Sequence, residues 1–229
     1  MREQKIQIQP NGPYLVHGDT PLVRKRQVTS EHGEPMTWQK TEEVETKETY
    51  ALCRCGESNN KPFCDGTHVK TEFDGTETAA TDRYEDRKIV HENSTGIVIK
   101  RDYSVCAESG FCGDRLANIE KLAELTDDSI VRAKVMAMIE RCPSGSYTYA
   151  LTEDAEDIEP DLPRQIAVTT EMTSEGPIAG PLWVTGEILV ERADGQPMEV
   201  RNRVTLCRCG QSKNKPLCDG THRAIHATE

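Results

Sequence analysis

One sixteen-residue stretch occurs twice in this chain. Cys53-Arg-Cys-Gly-Glu-Ser-Asn-Asn-Lys-Pro-Phe-Cys-Asp-Gly-Thr-His68 returns as Cys207-Arg-Cys-Gly-Gln-Ser-Lys-Asn-Lys-Pro-Leu-Cys-Asp-Gly-Thr-His222. Cys53, Cys55, Cys64 and His68 map onto Cys207, Cys209, Cys218 and His222 at one constant offset of 154 (207 − 53). Three thiols and one imidazole stand among small, polar and turn-forming residues, which cannot build a hydrophobic core. Four N/S ligands give such a loop a reason to fold, because metal binding then supplies the folding free energy. Three Cys and one His also form a well-used structural zinc set, so spacing alone leaves zinc and iron–sulfur both open.

The full pattern resembles the CDGSH iron–sulfur family, whose signature runs C-x-C, then Ser or Thr, Pro, and C-D-G-x-H. Both copies keep every element, with Thr67 and Thr221 in the variable slot. The resemblance implies a [2Fe–2S] cluster at each copy, held by three Cys and one His. Cys53 and Cys55 are close enough to share one iron, leaving Cys64 and His68 for the other. A neutral imidazole in place of a thiolate raises the reduction potential, as in Rieske centres. Asp65 and Asp219 are expected to N-cap short helices carrying the histidines. Gly56, Gly66, Gly210 and Gly220 permit close backbone approach, with amides available to the sulfurs. Arg54, Lys61, Arg208 and Lys215 are read first as solvated surface charges, and second as local offsets to cluster charge.

Of the nine cysteines, three lie outside these loops: Cys106, Cys112 and Cys142. Cys106-x₂-Ser109-x₂-Cys112 with a remote Cys142-Pro143 resembles a divergent single-cluster ferredoxin, whose usual pattern is C-x₂-C-x₂-C plus a remote C-P. Ser109 stands where a middle Cys is usual. The resemblance implies a [3Fe–4S] cluster on three thiolates, or a [4Fe–4S] cluster with a non-Cys fourth ligand. Buried or free thiols in a domain without a cluster are the plainer alternative. If all three triplets bind metal, no thiol remains for a disulfide, as expected in a reducing compartment.

Taken in order, residues 5–9 alternate polar and apolar and predict a strand, as do Tyr14–Val16 and Leu22–Val28 around Gly18. Gly12-Pro-Tyr-Leu-Val-His-Gly18 resembles Gly180-Pro-Leu-Trp-Val-Thr-Gly186, and Gly33-Glu-Pro-Met36 resembles Gly195-Gln-Pro-Met198. The repeated unit is therefore strand, Gly-Pro turn, strands, then ligands. The first copy is longer, partly through the charged run Lys40–Lys47, read as a solvated insertion. Residues 69–82 form a connector. Strand signals follow through residues 83–105, and Leu116–Leu125 suits a helix. Asp127 is expected to cap a helix whose stripe is Val131, Val135, Met138 and Ile139. A strand over Ser146–Leu151 and an acidic linker over 153–163 lead to the second copy, beginning near Gln165.

These marks predict a β-rich α+β chain. Residues 1–80 and 163–229 form two CDGSH modules, with a small ferredoxin-like α+β domain at 81–152 between them. Known members of the CDGSH family form intertwined dimers with a β-rich cap, so two copies in one chain imply a monomer built as an internal pseudo-dimer. Only 35% of residues are hydrophobic and 5% aromatic, which disfavours one large core and suits small metal-stapled modules. The net charge of −11 without a long basic stripe disfavours nucleic acid. The longest apolar run, Val135–Ile139, is far short of a membrane span. The N-terminus lacks a signal-peptide core, so a cytoplasmic protein is expected. No catalytic triad, phosphate loop or carboxylate pair stands out, and an enzyme is not expected. The expected function is electron transfer with a redox partner protein. Cluster transfer or storage with an apo-acceptor is the alternative within the same chemistry, because a His ligand is easily protonated and released. A zinc-stabilised interaction scaffold is the alternative from another class. His17, His32, His91 and His226 are read as solvated.

Overall fold

A computed structural model describes residues 3–229. The first copy contributes β1 (Lys5–Ile8), β2 (Tyr14–His17), β3 (Leu22–Thr29), β4 (Pro35–Val44), β5 (Tyr50–Leu52) and α1 (Thr67–Lys70). The middle contributes α2 (Tyr84–Arg87), β6 (Ile89–Val90), β7 (Val98–Arg101), α3 (Ile119–Leu122), α4 (Ser129–Arg141) and β8 (Tyr147–Ala150). The second copy contributes β9 (Gln165–Thr173), β10 (Gly176–Thr185), β11 (Leu189–Glu191), β12 (Arg203–Leu206) and α5 (Thr221–Ala224). The architecture is α+β and β-rich.

The two copies exchange strands. One sheet runs β11-β1-β2-β5 and the other β12-β10-β9-β3-β4, so each adds strands from one copy to a three-strand unit of the other. β11 lies parallel to β1 with Val190 opposite Ile6. β3 lies parallel to β9 with Leu22 opposite Ile166. Within the units, Tyr14 opposite Leu52 matches Leu182 opposite Leu206. The same arrangement is thus drawn twice with the copies interchanged, as expected of an internal pseudo-dimer. A three-strand unit alone leaves an open edge, and each copy covers the other's. The period-2 alternation of β1 and β2 sends Ile6, Ile8, Tyr14 and Val16 inward. They meet Ile166, Val168, Leu182 and Leu206 in one shared core.

The charged run read as a solvated insertion is partly strand. β4 extends to Val44 along the outside of β3, and its residues are mostly exposed. Its first residues match Pro197–Met198, which bridge back to β11 in the second copy, and the extension beyond them belongs to the first copy. Charges on such an edge keep it from recruiting further strands.

The β1–β11 junction carries a testable charge. Lys5 Nζ lies 2.9 Å from Glu191 Oε2, and Gln7 Nε2 donates to Oε1 at 3.0 Å. The hydrogen bond and charge of Lys5 hold the Glu191 carboxyl below its ordinary value. A depressed carboxylate contributes stability above its unfolded pKa, about 4.3, and loses it as pH falls through the folded value. The expected outcome is that Glu191→Gln flattens the acid slope of thermal stability below about pH 4.5 while leaving the neutral-pH slope unchanged.

Between the copies, β6-β7-β8 form a small sheet. α4 packs Val135, Met138 and Ile139 on Ile99, Tyr147 and Tyr149. Its cap is Asp128, one residue after the expected Asp127: Asp128 Oδ1 accepts from the amides of Ile130 (2.7 Å) and Val131 (3.2 Å). Asp128 has the extended backbone a cap needs. Two short helical segments, α2 and a 3-10 turn over Tyr103–Val105, interrupt the stretch read as strand. The Asp102 carboxylate turns the second of these by accepting from the Ser104 amide at 2.9 Å. Among the described residues no helix is long and apolar enough to cross a membrane.

Candidate metal centres

Each repeated loop is closed by its own backbone. Cys53 N donates to Pro62 O and Cys64 N to Ala51 O, at 2.8 and 2.9 Å. Cys207 N and Cys218 N repeat this to Pro216 O and Thr205 O, again at 2.8 and 2.9 Å. The motif serines add a cross-tie, Ser58 Oγ to Phe63 O (2.6 Å) and Ser212 Oγ to Leu217 O (2.7 Å). Asp65 accepts from the amides of Thr67 (3.0 Å) and Asn59 (2.9 Å), and Asp219 from those of Thr221 (3.0 Å) and Lys213 (2.8 Å). The aspartates sit one residue before the cap positions, which are Gly66 and Gly220 at φ 87° and 86°. They therefore stitch the loop to the helix start, which corrects the expectation of a plain N-cap. These amides hold the Asp65 carboxyl well below the usual carboxylate range, Thr67 first.

The ligand atoms are arranged in pairs. Cys53 Sγ and Cys55 Sγ lie 3.7 Å apart, and Cys64 Sγ lies 3.3 Å from His68 Nδ1. The second loop repeats both figures, 3.7 Å for Cys207–Cys209 and 3.3 Å for Cys218–His222. Two thiolates about 2.3 Å from one tetrahedral metal stand ~3.8 Å apart, so each pair has the span of two ligands on one metal. Among the described residues no three Cys, His, Asp or Glu side chains converge on a single ion. A zinc site needs four ligands about one point, whereas a two-iron cluster takes two ligands at each iron. The donor set and its pairing fit the two-iron group. Amides already point at the sulfurs: Glu57 N to Cys55 Sγ and Gly66 N to Cys64 Sγ, both 3.4 Å. Burial pushes the Cys55 thiol up to about 11 and raises Cys64 and Cys218. Metal must displace a proton from each.

The two loops touch. A Cβ on Gly56 would lie 2.6 Å from Cys209 O, and one on Gly210 would lie 2.2 Å from Cys55 O. Both glycines have positive φ, 83° and 78°. The loops thus cross back to back through the residues beside Cys55 and Cys209.

Arg54 and Arg208 are not solvated. Arg54 is 1% exposed and donates to Gly75 O (2.6 Å) and Gln9 O (3.4 Å). Arg208 is also buried and donates to Gly180 O (2.6 Å), Thr169 O (2.9 Å) and Glu229. Arg54 ties its loop to the end of β1 and to the connector at Gly75, and Arg208 ties its loop to β9 and β10, because the fan of donors satisfies several carbonyls together. Lys61 and Lys215 reach the backbone carbonyls of Thr228 and Ser212.

The two sites differ in cover. His68 and Cys64 are half-buried, while His222 (2% exposed) and Cys218 are buried. The long β9–β10 hairpin brings Glu171, fully buried, against the second site. Glu171 Oε2 lies 3.2 Å from His222 Nε2 and also pairs with Arg223. The carboxylate lies off the ring N–H direction, so this is a charge contact more than a directed hydrogen bond. Despite its burial, its contacts with His222, Ser109 and Arg223 keep the Glu171 carboxyl below its ordinary value. Nothing in the sequence singled out Glu171.

Cys106, Cys112 and Cys142 come together although Cys142 is thirty residues from Cys112. All three line one small cavity, walled by Phe111 and Tyr147. The void between them is about 30 Å³, room for a water or two. Three thiols are donors of the right kind for an iron–sulfur group, but they do not converge on one point, and a multi-iron cluster is larger than this void and requires them to spread. Ser109 Oγ, the candidate fourth ligand, donates to Glu171 Oε1 at 2.8 Å and is committed there. Burial raises the Cys112 thiol, and the neighbouring Cys142 and Cys106 add to the shift. His91 is half-buried and stacks on Tyr147 rather than being fully solvated. His226 is exposed, 3.4 Å from Glu175.

Residues 11–69 and 179–223 each match the family model described as "Iron-binding zinc finger CDGSH type". No curated protein and no solved structure matches the chain.

Proposed function

From a chain that carries two CDGSH-type iron-binding modules in tandem, we infer an electron carrier with a [2Fe–2S] cluster at each loop and a third cluster at the central thiols. The observation that carries this reading is the pairing of ligands, two thiols and then thiol with imidazole, repeated at the same distances in two loops that touch. When bound, a [2Fe–2S] cluster accepts and returns one electron. The chain's own residues supply the rest. Cys53, Cys55, Cys64 and His68 hold the first cluster, and Cys207, Cys209, Cys218 and His222 the second. Gly56 and Gly210 let the two loops approach closely. Loop amides donate to the sulfurs, which stabilises their negative charge. Cys106, Cys112 and Cys142 hold the third group. With Ser109 engaged by Glu171, three thiolates favour [3Fe–4S] over a four-iron cluster with a serine ligand.

The chain then binds and passes electrons to a redox partner protein and does not itself turn over a substrate. The test is anaerobic iron, sulfide and zinc content with visible absorbance. We expect about 7 iron per chain, two for each loop and three for the centre. Cys207→Ser should remove about two of them, and Cys112→Ser about three. About 4 iron in the unaltered chain overturns the third cluster alone. A colourless protein with stoichiometric zinc overturns the whole reading.

A further inference from the structure

We propose that Glu171 is a positioning residue for His222, and that it divides the two loops into a retained second site and an exchangeable first site. This rests on reading both loops as cluster-binding.

The argument is a comparison of two copies of one motif. The β1 and β9 units share a register in which Ile8 corresponds to Val168 and Tyr14 to Leu182, so residues 169–181 of the β9–β10 hairpin stand where the first copy has only 9–13, and Glu171 lies on the extension the first copy lacks. Asn11, in the short β1–β2 turn, accepts from the Gly75 amide at 3.0 Å. Likewise Arg223, which pairs with Glu171, corresponds to Val69, which is 72% exposed. The carboxylate, its arginine partner and the covering hairpin are therefore features of the second copy alone. A carboxylate against Nε2 favours the tautomer with the proton on Nε2, which leaves the Nδ1 lone pair free for metal. Nδ1 is the nitrogen beside Cys218 Sγ. Glu171 is itself fixed by Ser109 and Arg223, so it cannot follow the ring away. At the first site His68 Nδ1 faces Cys64 in the same way, but the ring is half-buried and lacks the Glu171 contact.

The experiment follows bleaching of the intact, cluster-loaded protein by an excess of a ferrous chelator. Outer partners of a metal ligand are typically worth 10–100-fold in affinity, so the unaltered chain should lose two iron per chain at least about tenfold faster than the next two. Cys64→Ser should lack the fast phase, which assigns it to the first loop. Glu171→Ala should merge the slow phase with the fast one and leave the fast rate unchanged, so the first loop serves as the folding control. It should also raise the reduction potential of the second site alone, because a negative charge beside it is removed. Glu171→Gln, which keeps the shape and loses the charge, should raise the potential as Glu171→Ala does and retain iron no better than partway between Glu171→Ala and the unaltered chain. A single bleaching phase in the unaltered chain overturns the division of labour. Equal acceleration of both phases in Glu171→Ala, or an unchanged slow phase, overturns the role of Glu171. Absence of iron overturns the underlying reading instead, and is visible before any chelator is added.

Discussion

Replacing Gly210 by Ala should strip metal from both loops together. At φ 78° an L side chain is strained, at about 1–2 kcal/mol. Its Cβ would also lie 2.2 Å from the carbonyl oxygen of Cys55, and backbone cannot rotate aside as a side chain does. Forcing an extra carbon into a packed contact costs roughly 1–3 kcal/mol more. The first loop must then retreat from the second, and Cys55 is itself a ligand candidate. We therefore expect both sets of iron to fall, although the substitution lies in only one loop. Gly195→Ala is the matched control. Its φ is 83°, yet a Cβ there meets nothing within 4 Å, so only the backbone strain applies. Metal content and melting temperature of the two variants decide the matter. If Gly210→Ala is no worse than Gly195→Ala, the loops do not cross as described.

Arg203→Met should be the most damaging single change outside the ligands. Arg203 stands on β12, fully buried. Its Nη1 donates to the carbonyls of Ile139 (3.0 Å), Glu140 (2.7 Å) and Cys142 (2.9 Å), the last turn of α4 and the ligand candidate that follows it. Glu159 lies 2.9 Å from its Nε. One guanidinium thus closes the C-terminus of α4, where carbonyls lack intrahelical partners, and pins the middle of the chain to the second copy. Methionine keeps much of the length and none of the donors. Glu159 is partly exposed, so the loss falls on the three stranded carbonyls, about 1–3 kcal/mol each and about 3–5 kcal/mol in all, and a chain of this size loses ~2–4 °C in melting temperature per kcal/mol. We expect a fall of roughly 6–20 °C, with iron lost first from the Cys106, Cys112 and Cys142 site. A fall of less than about 2 °C would show that the middle stands without this contact.

The parts legible in the sequence are those whose determinants lie close together along it. Within each loop the ligands, the Ser and Pro that close the backbone, and the stitching Asp all fall within sixteen residues. The alternation in β1 and β2 marked which face is buried, since side chains on a strand alternate by twos. The stripe Val135, Met138 and Ile139 did the same for α4. Errors of one residue arose at caps, as with Asp127 for Asp128 and the aspartates before Gly66 and Gly220. Several polar residues near a helix start are chemically equivalent until the backbone chooses which is extended. Arg54 and Arg208 differ from expectation because an arginine in a polar loop has the local sequence of a solvated one until the carbonyls that enclose it are known.

The sequence by itself determined the donor chemistry, its duplication and the strands that precede each loop. It did not determine how the copies meet. A strand's period says which face is inward but not which strand lies beside it, so the exchange of β3 and β11 emerges only when two open edges are closed in one chain. The same holds for the Gly56–Gly210 crossing, for Arg203 on the end of α4, and for Glu171 against His222. Each joins residues fifty or more positions apart, and their energies depend on burial and direction that no local pattern encodes. Local chemistry chose the ligands twice over in equal terms; the tertiary structure made the two sites unequal, by bringing a buried carboxylate to one of them and leaving the other half open to solvent.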